Sequence, residues 1–218
     1  MPAFLVHGVA DTHVLWDAVR AELSRDDVIA PDLPGFRSPV PDGFGATKEE
    51  YADWLIAEVE KVGEPVDLVG HDWGSLLVHR VVSLRPELIR TWVGGAGVVD
   101  HEYRWHDFAR KWQEPDTGPE MVPTDDPVMA QCILALYRSA VDVFTEWWPD
   151  LERAPAKALI IMGADDPFVP AHHGVRVAER VGGESLVLEG CGHWWPVERP
   201  HEVADAIERL WASAGPTA

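Results

Sequence analysis

Residues 67–77, DLVGHDWGSLL, leave few backbones open to the chain. An apolar run at 66–70 reads as a buried strand, and 74–85 reads as a helix that stops at Pro86. Only the residues around Asp72 join them. Gly70 and Gly74 lie two residues to either side of it, as expected where a strand-to-helix turn is so tight that flanking side chains would clash. Such a turn forces its central residue into a strained conformation and projects that side chain outward. The helix behind carries partial positive charge at its amino end, which favours an ionised carboxylate. The adjacent N–H groups can stabilise an oxyanion. An aspartate here also suits a plain helix N-cap, and the sequence leaves both roles open.

The rest of the chain repeats the strand-then-helix pattern. Short apolar runs at 3–6, 27–30, 66–70, 91–95, 158–162 and 185–189 read as parallel strands buried on both faces. Helical patterns occupy 13–24, 47–62, 74–85, 171–181 and 200–212. The second opens with a capping box, Thr47 to Glu50, and the last with Pro200 in its first turn. The fold class is therefore α/β, a mostly parallel sheet of about six strands flanked by helices. The alternation breaks once, over residues 99–154, where two helical patterns (101–112 and 127–145) flank a Pro/Gly/Asp-rich loop. This segment is expected to form a short helical cap over the carboxyl ends of the strands, where open α/β sheets bind ligands. Residues 1–98 and 155–218 would form the core domain.

A carboxylate nucleophile attacks a saturated carbon that bears a leaving group, forming an ester that water then cleaves at its carbonyl. The second step needs a base and an oxyanion hole. His193, in CGHWWPVERP after the last strand, is placed to be the base. Asp165 and Asp166, in GADDPFVP after the preceding strand, are candidates for the acid that orients it. LVHGV, after the first strand, offers the backbone N–H of Val9 as an oxyanion donor beside that of Trp73. His7 in the same turn is expected to be a structural hydrogen-bonder. Ser75, one helical turn past the tip, is not where a nucleophile would project.

Together HG (7–8), DLPGF (32–36), GHDWGS (70–75), GADDPFVP (163–170) and CGHWWPVERP (191–200) resemble the epoxide hydrolase and haloalkane dehalogenase branch of the α/β-hydrolase superfamily. The turn at Asp72 is then the nucleophile elbow, which usually reads G-x-S-x-G, and the chain order nucleophile, acid, histidine is that of the superfamily. The resemblance implies an Asp-His-Asp triad with no cofactor and no metal, and it favours Asp166 over Asp165. It implies that cap tyrosines, Tyr137 and with it Tyr103, protonate an epoxide oxygen. For a dehalogenase it implies halide donors, Trp73 and a cap tryptophan among Trp105, Trp147 and Trp148. Epoxide hydrolysis is the expected reaction, haloalkane dehalogenation the alternative, and a non-catalytic binding protein of the same fold the second alternative.

Composition narrows the partners. The 11 tryptophans exceed what core filling needs and suggest an aromatic-lined cavity, with Trp194 beside the base among its candidates. With 18 Lys and Arg against 37 Asp and Glu, the net charge of −19 disfavours nucleic acid, anionic membranes and anionic substrates. A small, neutral, apolar or aromatic substrate is expected. No stretch reaches the roughly 20 apolar residues of a membrane span, and Cys132 and Cys191 form no paired motif, so a reduced cytoplasmic setting is expected.

Overall fold

The computed structural model describes residues 1–153 and 156–215. Its sheet has six parallel strands in the order β2-β1-β3-β4-β5-β6. They are β1 (Ala3–Val6), β2 (Val28–Ile29), β3 (Val66–Gly70), β4 (Ile89–Gly95), β5 (Lys157–Gly163) and β6 (Glu184–Leu188). The helices are α1 (Asp17–Glu22), α2 (Lys48–Glu60), α3 (Trp73–Leu84), α4 (Asp107–Gln113), α5 (Pro127–Ser139), α6 (Val143–Trp147), α7 (Ala171–Val181), α8 (Trp195–Glu198) and α9 (Pro200–Ser213).

Because strand side chains alternate, consecutive residues feed two cores. Phe4, Leu68, Trp92 and Ile160 join the cluster that holds α2, α3 and part of α7. Leu5, Val69, Val93 and Ile161 join the cluster beneath α1, α8 and α9. Burial on both faces explains why the central strands β1, β3, β4 and β5 read as continuous apolar runs, whereas the edge strands β2 and β6 are partly exposed. The Thr47–Glu50 capping box forms at the start of α2. Helix α7 ends at Gly182 in the left-handed conformation that favours glycine.

Between β4 and β5 the chain departs from the expected helices. Residues 101–106 do not join α4. Asp100, fully buried, accepts from the Glu102 N–H at 3.1 Å and from His173 Nδ1 at 2.6 Å, and this holds the chain in a turn. The helix begins instead after His106, whose Nδ1 accepts from the Ala109 N–H at 3.3 Å. The second pattern breaks at Ala140, whose carbonyl accepts from Trp105 Nε1 at 3.0 Å. The chain bends there by 61° before α6. Buried Lys48, at the start of α2, pins the end of α5 by donating to the Ser139 carbonyl at 2.8 Å. The carboxyl-terminal boundary expected for this segment, 154–155, lies outside the described residues. No single described helix is long and apolar enough to cross a membrane; the bent pair 127–139 and 143–152 passes on length and composition alone.

Candidate active site

Asp72 occupies the turn between β3 and α3 with φ 53° and ψ −121°. That is a costly conformation for any residue but glycine, worth about 1–3 kcal/mol of strain. The neighbours enforce it. A Cβ on Gly70 would lie 2.4 Å from the Gly74 carbonyl oxygen, and one on Gly74 would lie 2.1 Å from that of Val6. Although Asp72 sits at the N-cap position of α3, its side chain makes no capping hydrogen bond. Its Oδ1 accepts from the Val9 N–H at 2.8 Å instead. The Trp73 N–H faces the same carboxylate, so both expected oxyanion donors converge on Asp72. Burial raises the Asp72 pKa above the usual carboxylate range, while His193 and the two N–H groups oppose that rise.

The loop after β6 brings in His193, with Nε2 3.7 Å from Asp72 Oδ2. Its Nδ1 donates to Asp166 Oδ2 at 2.8 Å. Asp166 is buried, and its Oδ1 accepts from the Phe168 and Val169 N–H groups at 2.8 and 3.0 Å. Asp165 is exposed, so Asp166 is the histidine's partner. Burial opposes a charged His193, yet the Asp166 hydrogen bond and the charges of Asp72, Asp166 and Asp11 outweigh it and raise its pKa.

Three further groups settle as supports. His7 Nδ1 donates to the Gly8 carbonyl at 2.8 Å, its Nε2 accepts from the Leu33 N–H at 3.0 Å, and burial lowers its pKa to about 4. His71 was not foreseen: it donates from Nε2 to the His193 carbonyl at 2.8 Å and stacks edge-on against that ring. Ser75 is fully buried, bonds to the Gly97 carbonyl and accepts from the Gly95 N–H at 2.9 Å, so its hydroxyl is engaged at the end of β4.

A cavity of about 350 Å³ opens over Asp72 and His193. The segment between β4 and β5 gives its wall Tyr103, Trp105, His106, Trp112 and Tyr137, and the loops after β5 and β6 give Phe168 and Trp194. No Lys or Arg lines it among the described residues. Several polar tips on this wall are already engaged. Tyr103 donates to the Phe168 carbonyl at 3.1 Å and accepts from the His106 N–H. Trp105, Trp112 and Trp194 give their indole N–H groups to the Ala140 carbonyl, the Met121 carbonyl and Asp11 Oδ2. Tyr137 is different. Burial, then Asp72, push its pKa well above the usual phenol value, and no described residue accepts its proton. The Trp73 indole packs edge-on against Tyr137, and no acceptor meets its N–H in hydrogen-bond geometry.

Two expected binding residues do not reach the cavity. The 61° bend turns α6 and the turn after it toward the core, where Trp147 stacks on the Arg80 guanidinium at 5.2 Å and Trp148 on that of Arg180 at 3.9 Å. Trp112, Phe108 and His106, unassigned from sequence, line it instead. Their helical pattern was visible, but not the direction in which the helix points. Among the described residues, no three His, Cys, Asp or Glu side chains are placed to share a metal ion.

The profile of the alpha/beta hydrolase family matches residues 3–206. This chain belongs to that family. It is 24% identical to the (E)-2-((N-methylformamido)methylene)succinate hydrolase of Acinetobacter baylyi over 99% of this chain and 91% of that one. It is 24% identical to a haloalkane dehalogenase of Psychrobacter cryohalolentis over 81% of this chain but only 61% of that one, less than two thirds of the relative's length. A thermophilic esterase from Thermogutta terrifontis superposes with a TM-score of 0.78 at 21% identity, covering 99% of this chain and 91% of that one, a likeness of fold.

Proposed function

We propose that this family member hydrolyses a neutral, apolar or aromatic epoxide to a diol through an ester on Asp72. The supporting observation is the pairing of a carboxylate at the elbow tip with the Tyr137 hydroxyl, whose proton no described residue accepts, in an otherwise apolar cavity. Asp72 Oδ attacks an epoxide carbon, the C–O bond breaks, and the alkoxide takes the Tyr137 proton. His193 Nε2 then takes a proton from water, and the resulting hydroxide attacks the ester carbonyl of Asp72. The Val9 and Trp73 N–H groups hold the oxyanion. Collapse returns the His193 proton to the departing diol oxygen, and the Asp72 carboxylic acid gives its proton back to the Tyr137 phenolate through solvent. The sum is epoxide plus water to diol.

Dehalogenation is the second reading, supported by the similarity to a haloalkane dehalogenase and by the Trp73 indole N–H, which meets no acceptor in hydrogen-bond geometry. It is weakened because the second donor would have to be an indole N–H, and Trp105 spends its own on Ala140. Intact-protein mass separates the two in a His193→Gln variant, where the ester should accumulate. An added mass equal to the whole epoxide supports the proposal. An added mass equal to a haloalkane less hydrogen halide, with none from epoxides, replaces it with dehalogenation. No adduct from either pool overturns both as stated.

A further inference from the structure

The wall of the cavity holds one more donor that the chemistry above leaves unused. His106 caps α4 through Nδ1, which accepts from the Ala109 N–H at 3.3 Å. A nitrogen that accepts carries a lone pair, so in a neutral imidazole the single proton must sit on the other nitrogen. Burial first, then the nearby His193, keep the ring neutral, lowering its pKa to about 4. The proton is therefore on Nε2, and among the described residues no acceptor takes it. The ring lines the cavity and packs on Phe168, with centroids 5.0 Å apart, and Phe168 in turn packs on His193 at 5.0 Å. His106 thus stands one phenyl ring away from the catalytic histidine.

We infer that the Nε2–H of His106 is a substrate-binding donor, and that the preferred substrate carries a second, neutral oxygen acceptor such as a carbonyl or ether, one aromatic ring's breadth from its reacting carbon. The inference rests on the epoxide reading for the reaction but not for the binding. Tyr103 and the three cavity indoles are spent on protein acceptors, so among the residues that line this space the unspent donors are Tyr137, close to Asp72, and His106, farther out, with the Trp73 indole behind Tyr137. A donor in an apolar wall, once a bound ligand shields it from water, penalises a ligand that leaves it unpaired, and this makes the half-buried His106 a selector. Tyr137 would serve the reacting oxygen and His106 the spectator oxygen.

The test uses binding without turnover. Benzophenone and diphenylmethane differ by one carbonyl, and tryptophan fluorescence quenching reports their affinities. The wild-type chain should favour benzophenone by about tenfold. His106→Thr keeps a strong N-cap but is too short to present the donor, and its preference should fall to within about twofold. His106→Asn keeps the cap and an N–H, and should recover part of the preference. Tyr137→Phe should leave most of it in place. The 15N shifts of His106 should show a protonated Nε2 and a bare Nδ1. Unchanged preference in a His106→Thr variant of unaltered melting temperature overturns the inference, as does a proton on Nδ1 or a preference lost in Tyr137→Phe instead. Failure of the epoxide reading would show in the mass experiment and leave these affinities untouched.

Discussion

Asp166 Oδ2 sits 2.8 Å from His193 Nδ1, on the opposite side of the ring from Asp72, whose Oδ2 is 3.7 Å from Nε2. The imidazole is held between two carboxylates with different duties. One fixes its tautomer, and the other is the group that its activated water would attack.

Replacing Asp166 with Asn should therefore separate the two half-reactions. The ester should form at a rate near that of the wild type, while its hydrolysis slows by about 10³–10⁴-fold, by analogy with removal of the orienting acid from a triad. Rapid-quench mass spectrometry would show a burst of adduct followed by slow decay. Equal slowing of both steps would argue against the assignment.

Hydrolysis of the ester needs a neutral His193, whose pKa is raised despite burial. In the ester the Asp72 charge that helps raise it is gone, so the rate of that step should rise with pH through a midpoint lower than that of His193 in the free enzyme. Asp11 is one of the charges that raises it. In Asp11→Asn the midpoint should move to lower pH, read from single-turnover decay of the adduct across pH 5–9.

Asp11 also makes a stability prediction with a definite sign. Burial and then Asp72 raise its pKa from 3.8 to about 6. The protonated form is favoured in the fold, so its contribution is fully present below the unfolded value and lost as pH rises through about 6. Asp11→Asn, uncharged throughout, should melt higher than the wild type at pH 8 and level with it at pH 4. Differential scanning calorimetry at the two pH values checks this.

Tyr137 and Tyr103 share the cavity wall but should answer differently to loss of the hydroxyl. Tyr137→Phe should slow ester formation from an epoxide by about 10²–10⁴-fold, the range for general acid catalysis, with a small change in melting temperature. Tyr103→Phe should cost about 1–2 kcal/mol of stability, because the Phe168 carbonyl and the His106 N–H lose their partner, with the chemical step little changed. Stopped-flow kinetics and denaturant unfolding on both variants would distinguish them.

Gly8→Ala tests how closely the first loop approaches the Asp72 carboxylate. The added Cβ would fall 2.2 Å from Asp72 Oδ1, where the Val9 N–H is seated. Adduct formation should fall by at least about 10²-fold, the scale expected when a reacting group is displaced by an ångström. Far-ultraviolet circular dichroism should still report the folded sheet.

The four central strands, β1, β3, β4 and β5, were legible because each is buried on both faces and reads as an apolar run whatever its neighbours do. The elbow was legible because Gly70 and Gly74 answer a local demand. His193 and Asp166 could be placed by the loops that follow β6 and β5, although choosing Asp166 over Asp165 drew on resemblance, and only the inward turn at Phe168 and Val169 gives it a geometric reason. The cap was not legible in the same way. Trp147 and Trp148 point away from the cavity because the chain bends after α5, where the Ala140 carbonyl is held by Trp105, 35 residues earlier. Such a bond joins two distant parts of the segment between β4 and β5 and leaves no periodic trace. His106 was passed over for a related reason: its tautomer depends on where α4 begins, and α4 begins late because Asp100 captures the preceding turn.

The backbone at Asp72 carries one more consequence. Its strain is enforced by clashes around Gly70, Gly74 and the β1 carbonyls, none of which involves the carboxylate. The backbone of the turn is thus held independently of the side chain it presents. His193, its partner Asp166 and the Val9 and Trp73 N–H groups surround that tip, and the same set would serve a hydroxyl. The turn fixes where the tip stands, while the atoms beyond its Cβ and the donors across the cavity, Tyr137 among them, would set what is done there.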